Sequence, residues 1–313
     1  MPLPNPPGRP PGWIPPGQRV PGVILGGSKV VGVGHRVVAS SGAGPSGLID
    51  GHDLSEIMTI LGGRAVRMFL PFFETDAADD TPVQDAGPRA HHFLKHNTSD
   101  YPPYIKGHVL AYRLNGLVFP NGEAFDMADH DDFSFGDGNT DSPFSIGIAV
   151  RIHNNLGVNY FISRYDMTTD VEACEYRMYT APDGTLVLRC HDHDTTNYIG
   201  RTWNVPLAID TWYIIFGTYD GSCVQEGIRL YVNGVRVDNA NATLGDYTAM
   251  HNEVVVTSVG YIESAGGVLV NFFDGDCWGP FITGKRLSDV PPAPGAQSEV
   301  VRLTNLYRKV LGL

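Results

Sequence analysis

From residue 64 onward, hydrophobic and polar positions alternate with a period of two, the spacing of a half-buried strand. Phe144-Ser145-Ile146-Gly147-Ile148-Ala149-Val150-Arg151-Ile152 keeps that alternation over nine positions, large apolar side chains on one face and small or polar ones on the other. The second face is thin enough to lie under another layer. Residues 160–165, 175–180 and 185–190 follow as short strands. The last two are joined by Ala181-Pro182-Asp183-Gly184, whose proline and glycine suit a tight hairpin. Residues 212–219 form a strand with Trp212, Ile214 and Phe216 on one side. Asn233-Gly234, flanked by alternating residues from Ile228 to Val237, predicts a hairpin with a type I′ turn. Strands at 254–261, 268–273 and 277–283 complete a series of short strands separated by turns, the pattern of a β-sandwich.

Helical spacing occurs twice. Residues 50–63 (DGHDLSEIMTILGG) predict a short helix near residues 53–61, with Asp53 as cap, Glu56 three residues on and Gly62-Gly63 as the stop. Residues 298–310 place Val300, Leu303, Leu306 and Val310 along one side, with Arg308 and Lys309 in the last turn. Before residue 50 neither period is present. PNPPGRPPG, WIPPGQRVPG and GGSKVVGVG combine prolines that lack a backbone donor with glycines of high chain entropy, which predicts an extended arm. The expected organisation is an arm over 1–49, a short helical connector over 50–63 and a sandwich over 64–313.

Composition sharpens this division. With 37 Gly, 23 Pro and 42% hydrophobic residues in 313, the chain is turn-rich around a real core, which excludes a helical bundle. The net charge of −12 hides an asymmetry. Arg9, Arg19, Lys29 and Arg36 give the arm +4 with no acid, and the remaining 18 bases and 34 acids leave −16 on residues 50–313. An acidic body disfavours nucleic acid as a partner. No apolar run reaches the roughly 20 residues that span a bilayer, so no membrane partner is expected. The start lacks the charged-then-apolar order of a signal peptide, which predicts a chain not secreted by that route. Cys174, Cys190, Cys223 and Cys277 lack metal-type spacing and read as buried thiols. Counting back from the turn at 182–184 places Cys174 opposite Cys190, both reduced.

Four segments in order carry a family resemblance. TWYIIFGTYDGSCVQEGIRLYVNGVRV (residues 211–237) resembles the signature of the laminin-G-like, concanavalin-A-like jelly roll: a Trp-led strand, a Tyr-Asp-Gly turn and a "LYVNG" hairpin. LPFFETDAADDTPVQDAGPRAHHF (residues 70–93) resembles its opening strand and the loop after it. LNGLVFPNGEAFDMADHDDFSF (residues 114–135) resembles the next strands, and FFDGDCWGPFITGKRLS (residues 272–288) the closing strand. The resemblance implies an all-β sandwich of the kind also found in phage virion proteins, among sugar binders and among glycoside hydrolases. It also implies a calcium near the start and end of the sandwich. Asp85 matches the early-loop acid, while Trp278 stands at the usual partner position, leaving Asp274 or Asp276 as substitutes. Otherwise no cofactor is implied.

Other candidate chemistry is sparse. Hydrolysis of a glycoside needs two carboxylates across a cleft. Glu172 and Glu175 are spaced for opposite faces of a strand, and Glu253 and Glu263 stand alone. His191-Asp192-His193-Asp194 sets two histidines on one strand face without a third ligand, and His91, His92 and His96 form a loose group. Acids at 76, 79 and 80, 129–132 and 137–141 read as calcium ligands or as turn residues serving loop backbone. Tyr165, Tyr179, Tyr198, Trp203 and Tyr247 are candidate sugar platforms.

Together these features predict a non-enzymatic virion structural protein, a capsid decoration or cement subunit. Its arm would dock on other virion proteins and copies of itself through Arg9, Trp13, Ile14, Arg19 and Val20. The alternative is a glycan-binding adhesin or tail-fibre component that reads a cell-surface carbohydrate. A carbohydrate-active enzyme ranks last.

Overall fold

The computed structural model describes residues 49–72, 82–96, 104–114, 122–166, 173–193, 196–264 and 268–313. Strands are numbered in chain order. The first sheet runs β14 (Val235–Arg236), β13 (Arg229–Val232), β12 (Trp212–Tyr219), β7 (Phe144–Ile152), β19 (Gly275–Thr283), β5 (Val109–Leu114) and β4 (Tyr104–Lys106). On the far side of β19 from β7, β1 (Val66–Phe69) pairs with its other half. The second sheet runs β15 (Ala240–Asn241), β11 (Tyr198–Trp203), β10 (Leu186–His191), β9 (Ala173–Thr180), β8 (Asn159–Asp166), β16 (Thr257–Val259), β6 (Ala124–Met127), β3 (Phe93–His96) and β2 (Pro82–Val83). A small hairpin of β17 (Ile262–Ser264) and β18 (Val268–Val270) joins it beside β8. The chain is therefore an all-β sandwich of the jelly-roll type.

The inward residues of both sheets form one core: Ile146, Ile148, Val150 and Ile152 from β7 meet Tyr176, Met178, Leu186 and Leu188 from β9 and β10. The thin face of β7 lies under a helix, as its small residues predict. A Cβ on Gly147 would overlap the rings of Phe216 and Phe281. Phe216 in turn meets Tyr307 of the C-terminal helix at 5.7 Å.

That helix, α2 (Glu299–Leu311), starts at Ser298, whose Oγ accepts from the Val301 N–H, a cap worth about 1 kcal/mol. It ends on Gly312 at φ 64°, a left-handed turn in which the Leu313 N–H reaches the Arg308 carbonyl. Its buried side holds Val300, Leu303, Leu306, Tyr307 and Val310, each worth about 1.5–3 kcal/mol if fully removed from water. The helix α1 (Gly51–Ile60) is capped by Asp50, whose side chain accepts from the Asp53 N–H, so the cap falls three residues earlier than the sequence suggests. Asp53 instead pairs with Lys309 at 2.7 Å, and Glu56 with Arg302 at 2.9 Å, tying α1 to α2.

One turn and one bulge follow from residue chemistry. Asn233 (φ 53°) and Gly234 (φ 84°) both take the positive angles of a type I′ turn. A bulge between Trp278 and Phe281 frees the Gly279 carbonyl from the ladder, and Tyr307 Oη donates to it at 2.6 Å. The arm, with Arg9, Trp13, Ile14, Arg19 and Val20, lies outside the described residues.

The thiol pairing differs from expectation. All four cysteines are free, but Cys190 faces Tyr176, and Cys174 lies opposite Tyr165 on β8. The hairpin closes at Thr180 and Leu186, two residues out from the register that would pair the cysteines.

Candidate ligand-binding cleft

The carboxylates implied for calcium are already engaged. Asp85 accepts from the backbone N–H groups of Phe69 (2.8 Å), Gly87 (2.7 Å) and His91 (2.9 Å), stitching the opening strand to its loop. Burial pushes its pKa above the usual carboxylate value, against the pull of these donors. Trp278 is buried and donates its indole N–H to the Pro71 carbonyl. Asp276 pairs with Arg151 and His153, and Asp274 with Arg113 and Asn154. This donor set does not fit a calcium ion. The acids of residues 129–132 and 137–141 serve neighbours as well. Asp132 meets Arg67, Arg89 and His91; Asp137 accepts from the Asn139 and Thr140 N–H groups; Asp141 accepts from Tyr219, Tyr247 and the Met250 N–H. Asp76, Asp79 and Asp80 lie outside the described residues.

Glu175 has a role that strand alternation hides. The pairing of β8 and β9 shifts between Arg164 and Tyr165, so Glu175 and Tyr176 together oppose Arg164. This bulge turns Glu175 toward Arg164, and both are fully buried. Arg164 donates to Glu175 from Nε (3.0 Å) and Nη2 (2.8 Å), and also to Asp129, Thr257, Ser134 and the Glu253 carbonyl. Glu172 lies outside the described residues. Glu253 does not stand alone: its Oε1 lies 2.5 Å from Nδ1 of His193.

His191 and His193 do not share a face. β10 ends at His191, which is buried beside Tyr165 and Tyr198, and His193 turns away at φ 62°. His91 lies with His130 and Asp132, two residues of a distant segment. His92 Nδ1 accepts from the Asp85 N–H, and the His96 side chain and Asp194 lie outside the described residues.

Of the five candidate aromatics, three come together. Tyr165, Tyr179 and Tyr198 share the outer face of the second sheet, interleaved with Arg177 (4.4 Å from the Tyr165 ring) and Arg189 (4.2 Å from the Tyr198 ring). Tyr160 stacks on Tyr179 at 5.1 Å. Tyr165 and Tyr179 are buried, so this ladder is a packed layer rather than an open platform. Trp203 and Tyr247 pack against the main core.

An open cleft of about 490 Å³ lies elsewhere, lined by Asp210, Thr211, Trp212, Asn233, Arg308 and Leu313. It forms where the first residue of β12, the β13–β14 turn and the C-terminal turn of α2 converge. Trp212 shares the α2 face of β12 with Ile214 and Phe216 and sits at its edge, half-buried, so part of its indole reaches solvent. Asp210, at φ 55°, is held by its own N–H to the Ile152 carbonyl and by His153 Nδ1 at 2.7 Å. The other ring nitrogen of His153 faces Asp276 at 3.0 Å, which anchors the histidine to the sheet. Asn233 accepts from the Ile214 N–H through Oδ1, which turns its amide NH₂ outward as a donor. The exposed Arg308 pairs with no carboxylate among the described residues. An indole face beside one carboxylate, one amide and one unpaired guanidinium suits a polyhydroxylated ligand with an apolar C–H side. The sequence shows Trp212 and Asn233 only as strand and turn residues; a Trp at a strand's first position, where the layer above ends, is the signal that marks the site.

No protein-family model matches the sequence, and no curated protein matches it. Solved structures do. The chain is similar to the binding domain of Paraclostridial Mosquitocidal Protein 1, at 15% identity and TM-score 0.53, over 78% of this chain and 52% of that one. It is similar to the binding domain of botulinum neurotoxin DC solved with SialylT, at 11% identity and TM-score 0.50, over 79% and 52%. A Trypanosoma rangeli sialidase matches at 11% identity and TM-score 0.50, over 79% and 33%. The chain spans about half the length of the two binding domains and a third of the sialidase. At such identities the likeness shows the fold alone, a β-sandwich.

Proposed function

We propose that the sandwich is a non-catalytic glycan-binding module that reads a carbohydrate receptor through the Trp212 cleft. The observation that carries this reading is the half-exposed Trp212 flanked by Asp210, Asn233 and Arg308. The indole takes the C–H face of a pyranose, and the three polar groups take its hydroxyls or an attached carboxylate. Binding is favoured over hydrolysis because the cleft lining holds one side-chain carboxylate, Asp210, where glycoside hydrolysis uses a pair of Asp or Glu side chains. The likeness to the two binding domains, one of them solved with SialylT, and the resemblance to laminin-G-like sandwiches support the same reading. A glycan array followed by calorimetry tests it. The full chain should bind a selected glycan, and Trp212→Ala should weaken that affinity at least tenfold while far-UV circular dichroism is unchanged. Equal binding by the variant, or no glycan bound, overturns the reading.

A second reading, compatible with the first, rests on the charge contrast between residues 1–49 (+4) and residues 50–313 (−16). The basic, proline-rich arm docks on acidic bodies of neighbouring subunits and places the module on a virion surface, with salt-dependent strength.

A further inference from the structure

Among the described residues, three groups of histidine and carboxylate bring their donor atoms within 4.8 Å of one another. In two, the carboxylates already serve cations or backbone. Asp132 of the His91–His130–Asp132 group meets Arg67 and Arg89, and in the Asp50–His52–Asp53 group Asp50 caps α1 while Asp53 holds Lys309. The third group, His193, His251 and Glu253, differs. Its carboxylate meets no Lys or Arg among the described residues, and its partner is His193 Nδ1 at 2.5 Å.

We propose that His193, His251 and Glu253 bind a first-row transition ion, with Zn²⁺ as the type case. Two imidazoles and a carboxylate are the ligand chemistry such ions favour. Bonds of about 2.0–2.2 Å place tetrahedral donors roughly 3.4 Å apart, so a group already within 4.8 Å closes on an ion by small side-chain rotations. The ion takes the place of the hydrogen bond between His193 and Glu253, with His193 binding through Nδ1 as the neutral imidazole that carries its N–H on Nε2.

The backbone is arranged for this convergence. His193 adopts φ 62°, uncommon for a residue with a side chain, and this is what turns its ring out of the β10 alternation toward Glu253. The His251 ring lies against Gly138, where any Cβ would come within 2.9 Å of it. Asp192 Oδ1 lies 3.2 Å from His251 Nε2, and its Oδ2 accepts from the Thr248 N–H at 2.8 Å. A fixed carboxylate on one ring nitrogen orients the histidine and leaves Nδ1 for the ion, so Asp192 is a positioning residue. The site would bind the end of β10 to the 248–253 segment and leave at least one coordination position open to solvent, since the two histidines are half-exposed.

The test uses the untagged full chain, stripped with a chelator and titrated with Zn²⁺ by calorimetry and with Co²⁺ by visible absorption. One ion per chain, a Co²⁺ band absent from buffer and a rise in Tm with Zn²⁺ are expected. His193→Gln and His251→Gln should each weaken Zn²⁺ binding at least tenfold and abolish the Co²⁺ band, and His91→Ala should change neither. Asp192→Asn should weaken Zn²⁺ about tenfold and shift the Co²⁺ band while the metal-free Tm stays put. If the stripped chain takes up no stoichiometric Zn²⁺, or the His193→Gln/His251→Gln double variant binds it as tightly as the parent, the proposal fails.

Discussion

Arg164→Met is the sharpest test of what holds the second sheet. The substitution keeps the apolar stem and removes a fully buried guanidinium that gives Glu175 two hydrogen bonds. Glu175 is then left with the Ser134 hydroxyl and the Glu253 N–H as donors. Removing one partner of a buried ion pair costs about 3–5 kcal/mol, because the other charge is stranded. The pH decides how much of that cost is visible. Burial pushes the Glu175 carboxyl up to about 7, against the opposing pull of Arg164. The unfolded carboxyl titrates near 4.5. Between those values the folded state binds the extra proton, so this group's contribution to stability falls as pH rises through the window, by about 1.4 kcal/mol per pH unit. Without Arg164 the folded carboxyl titrates higher still. Near pH 5.5 the variant therefore carries a neutral Glu175 and loses mainly hydrogen bonds, about 1–2 kcal/mol, whereas near pH 8.5 it shows the larger deficit of about 3–5 kcal/mol. Urea unfolding of both chains at the two pH values, followed by tryptophan fluorescence, measures the difference. A deficit equal at both pH values, or smaller at the higher one, refutes the reasoning. Adding Glu175→Gln to Arg164→Met should erase the pH dependence.

Other outcomes follow from the packing. Gly147→Ala drives a methyl into Phe216 and Phe281 under α2 and should cost about 1–3 kcal/mol, read as a fall in Tm by calorimetry; an unchanged Tm would mean the helix layer sits loosely. Ellman's reagent on the native chain should modify Cys223 ahead of the other thiols. Cys174, Cys190 and Cys277 are buried, and burial also pushes the Cys190 and Cys277 thiols well up; fast reaction of more than one thiol contradicts this. Deleting residues 1–49 should leave a folded module that no longer co-sediments with its proposed virion partners, and normal incorporation of the shortened chain would remove the docking role of the arm.

Much of the fold is legible in the sequence because period-two patterning and turn chemistry are local. The alternation of β7 and the Asn233-Gly234 turn stand in the structure where the sequence puts them. What escapes a linear reading depends on breaks in that alternation. The bulge at Glu175 brings an acid spaced for one face to the other, and the positive φ of His193 removes a histidine from its apparent partner. Convergence of distant segments escapes as well. His193 and Glu253 are 60 residues apart, and the cleft draws on the start of β12, a hairpin turn and the helix end. Long-range pairing is a property of the folded topology, not of any window along the chain.

Of the strands in the two sheets, β19 comes last along the chain, and it lies in the middle of its sheet. β7 waits on one side of it, β1 and β5 on the other. Leu114 closes β5 and Thr283 closes β19. At about 5–20 residues per second, roughly 8–35 s of translation separate those two residues. Throughout that interval the edges of β1 and β5 that will face β19 lack their partner, and the edge of β7 joins them once Ile152 is made. Such late, distant pairing is slow to form even once the chain is complete. The half-made sheet is thus an aggregation-prone stage, and it ends only when Gly275–Thr283 slides between strands that have been waiting for it.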